Sequence, residues 1–185
     1  MYDISKESAE SKKQIEIRGR YLMMACDIEF SLLCIIMYSS PDPYNQQRLG
    51  QFSDMHMSEK INNAICDIKK HNYNYYLEFK PTFDGLEEFR IVRNDMAHCV
   101  GMFPKAPDLS VFKIDFIDKE DKKDKTNKNE WFKYKEYTET YILESLERFK
   151  QINWRLFNLW MRLKAEFDSG TKNPPLIHPN SGTTY

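Results

Sequence analysis

From Thr138 to about Phe167 the apolar residues of this chain recur at spacings of three and four: Ile142, Leu146, Phe149, Leu156, Trp160 and Leu163, with Asn153 in the same register. That period belongs to an α-helix, and no other stretch of the chain states its structure so plainly. Phe157, Leu159 and Trp154 flank the stripe, so more than one face is apolar and the helix needs several partners. A second copy of the chain is a natural cover for the excess. Thr138-Glu139 opens the helix and Ser169-Gly170 ends it; residues 169–185, with Pro174, Pro175, Leu176 and Ile177, read as an extended or disordered tail.

Other helical patterns precede it. Between Gln14 and Tyr38, one arc collects Ile15, Leu22, Ala25, Cys26, Leu33 and Ile36, with Phe30 and Met37 at its border and Glu29 inside it. Pro41 and Pro43 close that helix into a loop. Ser53-Asp54 or Ser58 is placed to cap a second helix to His71, with Ile61, Ala64, Ile65 and Ile68 as a narrow stripe. His71 to Tyr76 reads as a polar-aromatic connector, and Pro81 to Asp84 as the opening of a third helix capped by Thr82 or Asp84. Gly101, Pro104 and Pro107 stop that helix. Val111–Ile117 and Trp131–Tyr137 then alternate as strands around a tip, Lys119 to Asn129, without an apolar residue. With only six glycines in 185 residues, a sandwich or a doubly wound sheet is disfavoured. The expected architecture is mainly α: one helical domain over 1–168, carrying a β-hairpin inserted at about 109–137 between the third and last long helices.

Composition sets limits on function. Twenty-seven basic residues face 28 acidic ones, so no global field draws nucleic acid or membrane. Cys26, Cys34, Cys66 and Cys99 form no Cys-x-x-Cys pair and read as buried free thiols. The four histidines show no metal-ligand spacing, and no metal or cofactor is expected. The polar stretch Met1 to Lys13 is unlike a signal peptide, and no run of transmembrane length is expected, which points to the cytoplasm.

Polar residues look selected in one place, Leu86 to Val100. Wound as a helix, Leu86, Phe89, Val92, Met96, Ala97 and Val100 form a core arc with Arg93 inside it. An arginine there must snorkel, pair with a carboxylate, or face a ligand or another subunit. Glu29, on the apolar face of the first helix, is one candidate partner for Arg93, with Asp27 the alternative; the plainer reading puts Glu29 at a frayed edge of that face. Asn94 and His98, four apart, lie along the neighbouring edge.

Arg93-Asn94-Asp95-Met96-Ala97-His98 resembles the motif of the HEPN superfamily (higher eukaryotes and prokaryotes nucleotide-binding domains), an arginine followed by a polar residue and, four to six residues on, a histidine. The helix order from Gln14 to Phe167 and the acidic residue inside the first helix are similar too. The resemblance implies an up-and-down helical bundle, a homodimer that builds one composite site from two motif helices, and metal-independent cleavage of RNA. It further implies a role in toxin–antitoxin or defence systems, where an antitoxin or other regulatory protein is a partner. His98 matches the motif histidine, Arg93 the arginine and Asn94 the polar residue after it, while Asp95 has no fixed counterpart. Some toxin members carry a tyrosine two residues after the histidine; Val100 stands there in this chain.

The chemistry suits those residues. RNA carries its own nucleophile, the 2′-hydroxyl, so cleavage needs a proton-transfer group, for which histidine is suited, and a fixed cation for the phosphorane, for which arginine is suited. Two other classes compete. In one, the chain is a non-catalytic helical interaction module with Arg93 and His98 at an interface. The other, a nucleotide-binding regulator, lacks the glycine-rich loop it would need.

Overall fold

The computed structural model describes residues 9–40, 50–52, 54–98, 101–104, 111–117 and 132–170, and the side chains of 12–40, 50–52, 54–98 and 135–170. Its elements are α1 (Ala9–Ser39), α2 (Met57–His71), α3 (Tyr73–Asp84), α4 (Leu86–His98), β1 (Gly101–Pro104), β2 (Val111–Ile117), β3 (Phe132–Thr138) and α5 (Glu139–Asp168). The chain is mainly α. The stretch 41–49, Ser53, Cys99, Val100, the hairpin tip and the tail beyond Gly170 lie outside the described residues.

Contacts divide the chain into two units, Met1–Ala25 with Ile91–Lys150, and Cys26–Arg90 with Gln151–Tyr185. In the first, Tyr21 is fully buried with its ring edge-on to Phe149, centroids 6.1 Å apart. Its hydroxyl donates to the Ile142 carbonyl at 3.2 Å and shares a hydrogen bond with Ser145. Val92, Met96, Ile142 and Leu146 complete that core. Three strands form an antiparallel sheet in the order β1-β2-β3, with Gly101 opposite Asp115, Pro104 opposite Phe112, Val111 opposite Thr138 and Ile117 opposite Phe132. The expected hairpin thus gains a strand, since Gly101 to Pro104 pairs rather than merely ending a helix. Thr138 caps α5 as its sequence suggests: Oγ1 accepts the Tyr141 N–H at 3.1 Å.

In the second unit Ile28, Leu32 and Ile35 of α1 pack with Ile61, Ala64 and Ile68 of α2, Phe79 and Phe83 of α3, and Leu156, Leu159 and Leu163 of α5. Ser58 does not cap α2, and Ser53 lies outside the described residues; His56 is the N-cap, and its N–H donates to the Glu59 carboxylate at 2.8 Å. The polar-aromatic connector is itself helical. Asn72 alone breaks the chain between α2 and α3, its N–H still donating to Ile68. Pro81 lies inside α3, and Thr82 is buried near the end of α3 rather than capping a start. The motif helix is therefore the fourth, and it begins after Gly85. A Cβ at Gly85 would stand 2.7 Å from Ile152 Cδ1, so the glycine admits α5 against the α3–α4 turn.

Two expectations for α1 are overturned. Of the expected arc Ala25 and Ile36 are buried, but Ile15, Leu22 and Cys26 are exposed, as is the bordering Phe30, whereas Ile17, Tyr21, Met24, Ile28, Leu32 and Ile35 are buried. Apolar residues ring this helix, so several arcs fit its period, and Tyr21 selects one because its hydroxyl is satisfied inside. Lys12–Ser39 is also long and apolar enough, by length and composition, to cross a bilayer, contrary to the expected absence of such a run. In the structure it serves as a core helix, with half of its most apolar window buried.

The cysteines divide as well: Cys34 is buried and its thiol pushed up to about 11 by burial, but Cys26 and Cys66 are exposed. All three are free thiols.

Candidate functional site

α4 buries Leu86, Phe89, Val92 and Met96, which sets its rotation. His98 lies five positions after Arg93, about 140° of rotation, so the two begin on nearly opposite sides. Asn94 joins them. It lies about 40° round the helix from His98, and its Oδ1 accepts a hydrogen bond from Arg93 NH1 at 3.1 Å. Arg93 and Asn94 are half-buried; His98 is exposed in the last turn. Ile91, an exposed apolar residue, shares the His98 edge of the helix.

Asp95 is the residue the sequence reading undervalued. It is 8 % exposed, and its carboxylate accepts both Lys135 Nζ, at 2.8 and 2.9 Å, and the Tyr137 hydroxyl, at 2.5 Å. Burial, and then the hydrogen bond to this carboxylate, push the Tyr137 hydroxyl well above its usual titration range, so it remains a donor. The Tyr137 ring stacks on Tyr141 at 5.5 Å. On α1, Arg18 Nε donates to the Met96 carbonyl at 3.2 Å. Arg18, Arg93 and Lys135 thus bring three cations from three elements to residues 93–96 of α4.

The other expected members fall elsewhere. Glu29 accepts Lys60 Nζ at 2.7 Å, with the ammonium 4.9 Å from the Phe52 ring centre, and Asp27 is exposed. Among the described residues no three His, Cys, Asp or Glu side chains gather as a metal site. Val100 lies outside the described residues. Arg18, Lys135 and Tyr137 had no local signal. Lys135 and Tyr137 alternate in a strand 40 residues beyond the motif, and only the fold brings them to Asp95.

A second feature belongs to the Cys26–Arg90 and Gln151–Tyr185 unit. Trp154 stacks on Phe157 at 5.5 Å, Phe157 meets Trp160 edge-on at 5.2 Å, and Phe30 and Tyr38 contact Trp160 at 6.1 and 6.5 Å. This row is partly open to solvent, with Trp154 64 % exposed.

No family model, curated protein or solved structure matches the chain.

Proposed function

We propose that this protein is a HEPN-type, metal-independent endoribonuclease of the cytoplasm, acting through a composite site at a homodimer interface and held in check by an antitoxin or other regulatory protein. The observation that carries the reading is the state of α4: an exposed His98, an Arg93–Asn94 hydrogen bond directed toward its edge, and an exposed Ile91 beside it. A purely structural histidine has no need of that setting. Ile91 supplies an apolar contact on the face that a second α4 would meet.

In this reading one His98 accepts the proton of the RNA 2′-hydroxyl, whose oxygen attacks the adjacent phosphorus. The partner subunit's His98 donates a proton to the departing 5′-oxygen. Arg93, oriented by Asn94, stabilises the charge on the phosphorane oxygens. The products are a 2′,3′-cyclic phosphate and a 5′-hydroxyl.

The aromatic row from Trp154 to Phe30 favours a second reading, a non-catalytic interaction module. One experiment separates them: cleavage of a mixed RNA pool in EDTA by wild type, His98→Ala and Arg93→Ala, with each dimerisation state followed by light scattering. The nuclease reading expects cleavage by wild type and its loss in both variants while they remain dimeric. A dimeric wild type without cleavage, beside variants that no longer dimerise, points to the interaction module.

A further inference from the structure

Lys135 lies on β3, far from the motif in sequence, yet its ammonium is held by both oxygens of a carboxylate on the motif helix itself. The two partners differ sharply in exposure: the Asp95 side chain is 11 % exposed and the Lys135 side chain 51 %. A staple joining sheet to helix would account for the ion pair, but half of the Lys135 side chain stays open to solvent and so within reach of a ligand. The Tyr137 hydroxyl draws on the same carboxylate from within, so Asp95 is fixed from two directions and presents Lys135 at a defined place. An ammonium is a compact point charge, well suited to a phosphate oxygen, and pre-positioning it removes part of the entropy lost on binding. Arg18 stands one residue further along α4, at the Met96 carbonyl, and Arg93 and Asn94 immediately precede Asp95.

We propose that Lys135 binds a backbone phosphate of the RNA, and that Asp95 and Tyr137 are positioning residues acting through it. This rests on the ribonuclease reading. It assigns to β3 a role in substrate binding.

The test uses the full chain and a fluorescent 2′-O-methyl oligoribonucleotide, which binds without being cut, titrated by anisotropy over a range of salt. Losing one phosphate contact to a single strand lowers the slope of log affinity against log salt by about 0.7. Lys135→Gln is expected to show that drop, with affinity reduced about tenfold. Lys135→Arg is expected to keep the slope. On cleavable RNA, Lys135→Gln raises KM and leaves kcat within about twofold, the mark of binding lost equally from ground and transition states.

Asp95→Asn keeps the size of the side chain and removes the charge that holds the Lys135 ammonium. The same variant weakens oligonucleotide binding although Lys135 is intact. Unchanged salt slope and KM in Lys135→Gln, in a preparation where His98→Ala abolishes cleavage, overturns the inference and leaves the nuclease standing. Wild-type protein that neither binds the oligonucleotide nor cuts RNA overturns both.

Discussion

The pair between Glu29 and Lys60 allows a stability argument to be tested through its asymmetry. The Lys60 side chain is 9 % exposed and that of Glu29 27 %, with the charges 2.7 Å apart. Breaking a buried pair by removing one partner costs about 3–5 kcal/mol, mainly because the remaining charge is stranded away from water. The cost therefore depends on which charge remains. Glu29→Gln leaves the more deeply buried ammonium with only an amide oxygen and the Phe52 ring it already faces; a net loss of about 3–5 kcal/mol is expected. Lys60→Met leaves a carboxylate that water reaches and adds an apolar chain of similar length, so the loss is about 0–1 kcal/mol. Urea unfolding followed by far-UV circular dichroism measures both. A Lys60→Met variant that loses as much as Glu29→Gln, or more, refutes the claim that burial of the remaining charge controls the cost.

Two further outcomes are expected. Burial raises Cys34 from its ordinary 9.0 to about 11, and Tyr137 moves the same way, so both hold their protons more tightly folded than unfolded. Their contribution is whole below about pH 9 and is lost as pH rises through the folded values; Cys34 alone accounts for about 2–3 kcal/mol, and Cys34→Ala should flatten the alkaline loss seen in thermal melts. Gly85→Ala should destabilise by about 1–2 kcal/mol through overpacking against Ile152 Cδ1, and combining it with Ile152→Val, which removes that atom, should recover much of the loss in the same urea assay.

What was legible in the sequence follows the range of the forces involved. α5 was plain because its period is long and uninterrupted, and Thr138 was a recognisable cap because capping involves only the neighbouring turn. Tyr73 to Tyr76 read as a connector because tyrosine and asparagine are weak helix formers and Pro81 looked like a beginning. Burial of Phe79 and Phe83 overrides that local preference and carries the helix past Pro81, which has no N–H to give the Leu77 carbonyl. Glu29 reads as a candidate partner for Arg93, whereas the fold gives it Lys60 of α2, a partner with no signal in the local sequence. Of the candidate site, Arg93, Asn94 and His98 were visible as a local string. Asp95 was visible only as a charge, since the groups that make it important come from β3.

An antiparallel sheet of three strands has two open edges, and each is a template on which another chain can add a strand. β1 is only four residues long and ends at Pro104, which has no N–H to offer a newcomer. β3, the other edge, carries lysines at positions 133 and 135, and pairing with a second copy would bring like charges together. Its hold on Asp95 also ties this edge to α4. The strand that the sequence disclosed least thus works with its neighbours against fibrous self-association, leaving helices to make the orderly contacts between copies.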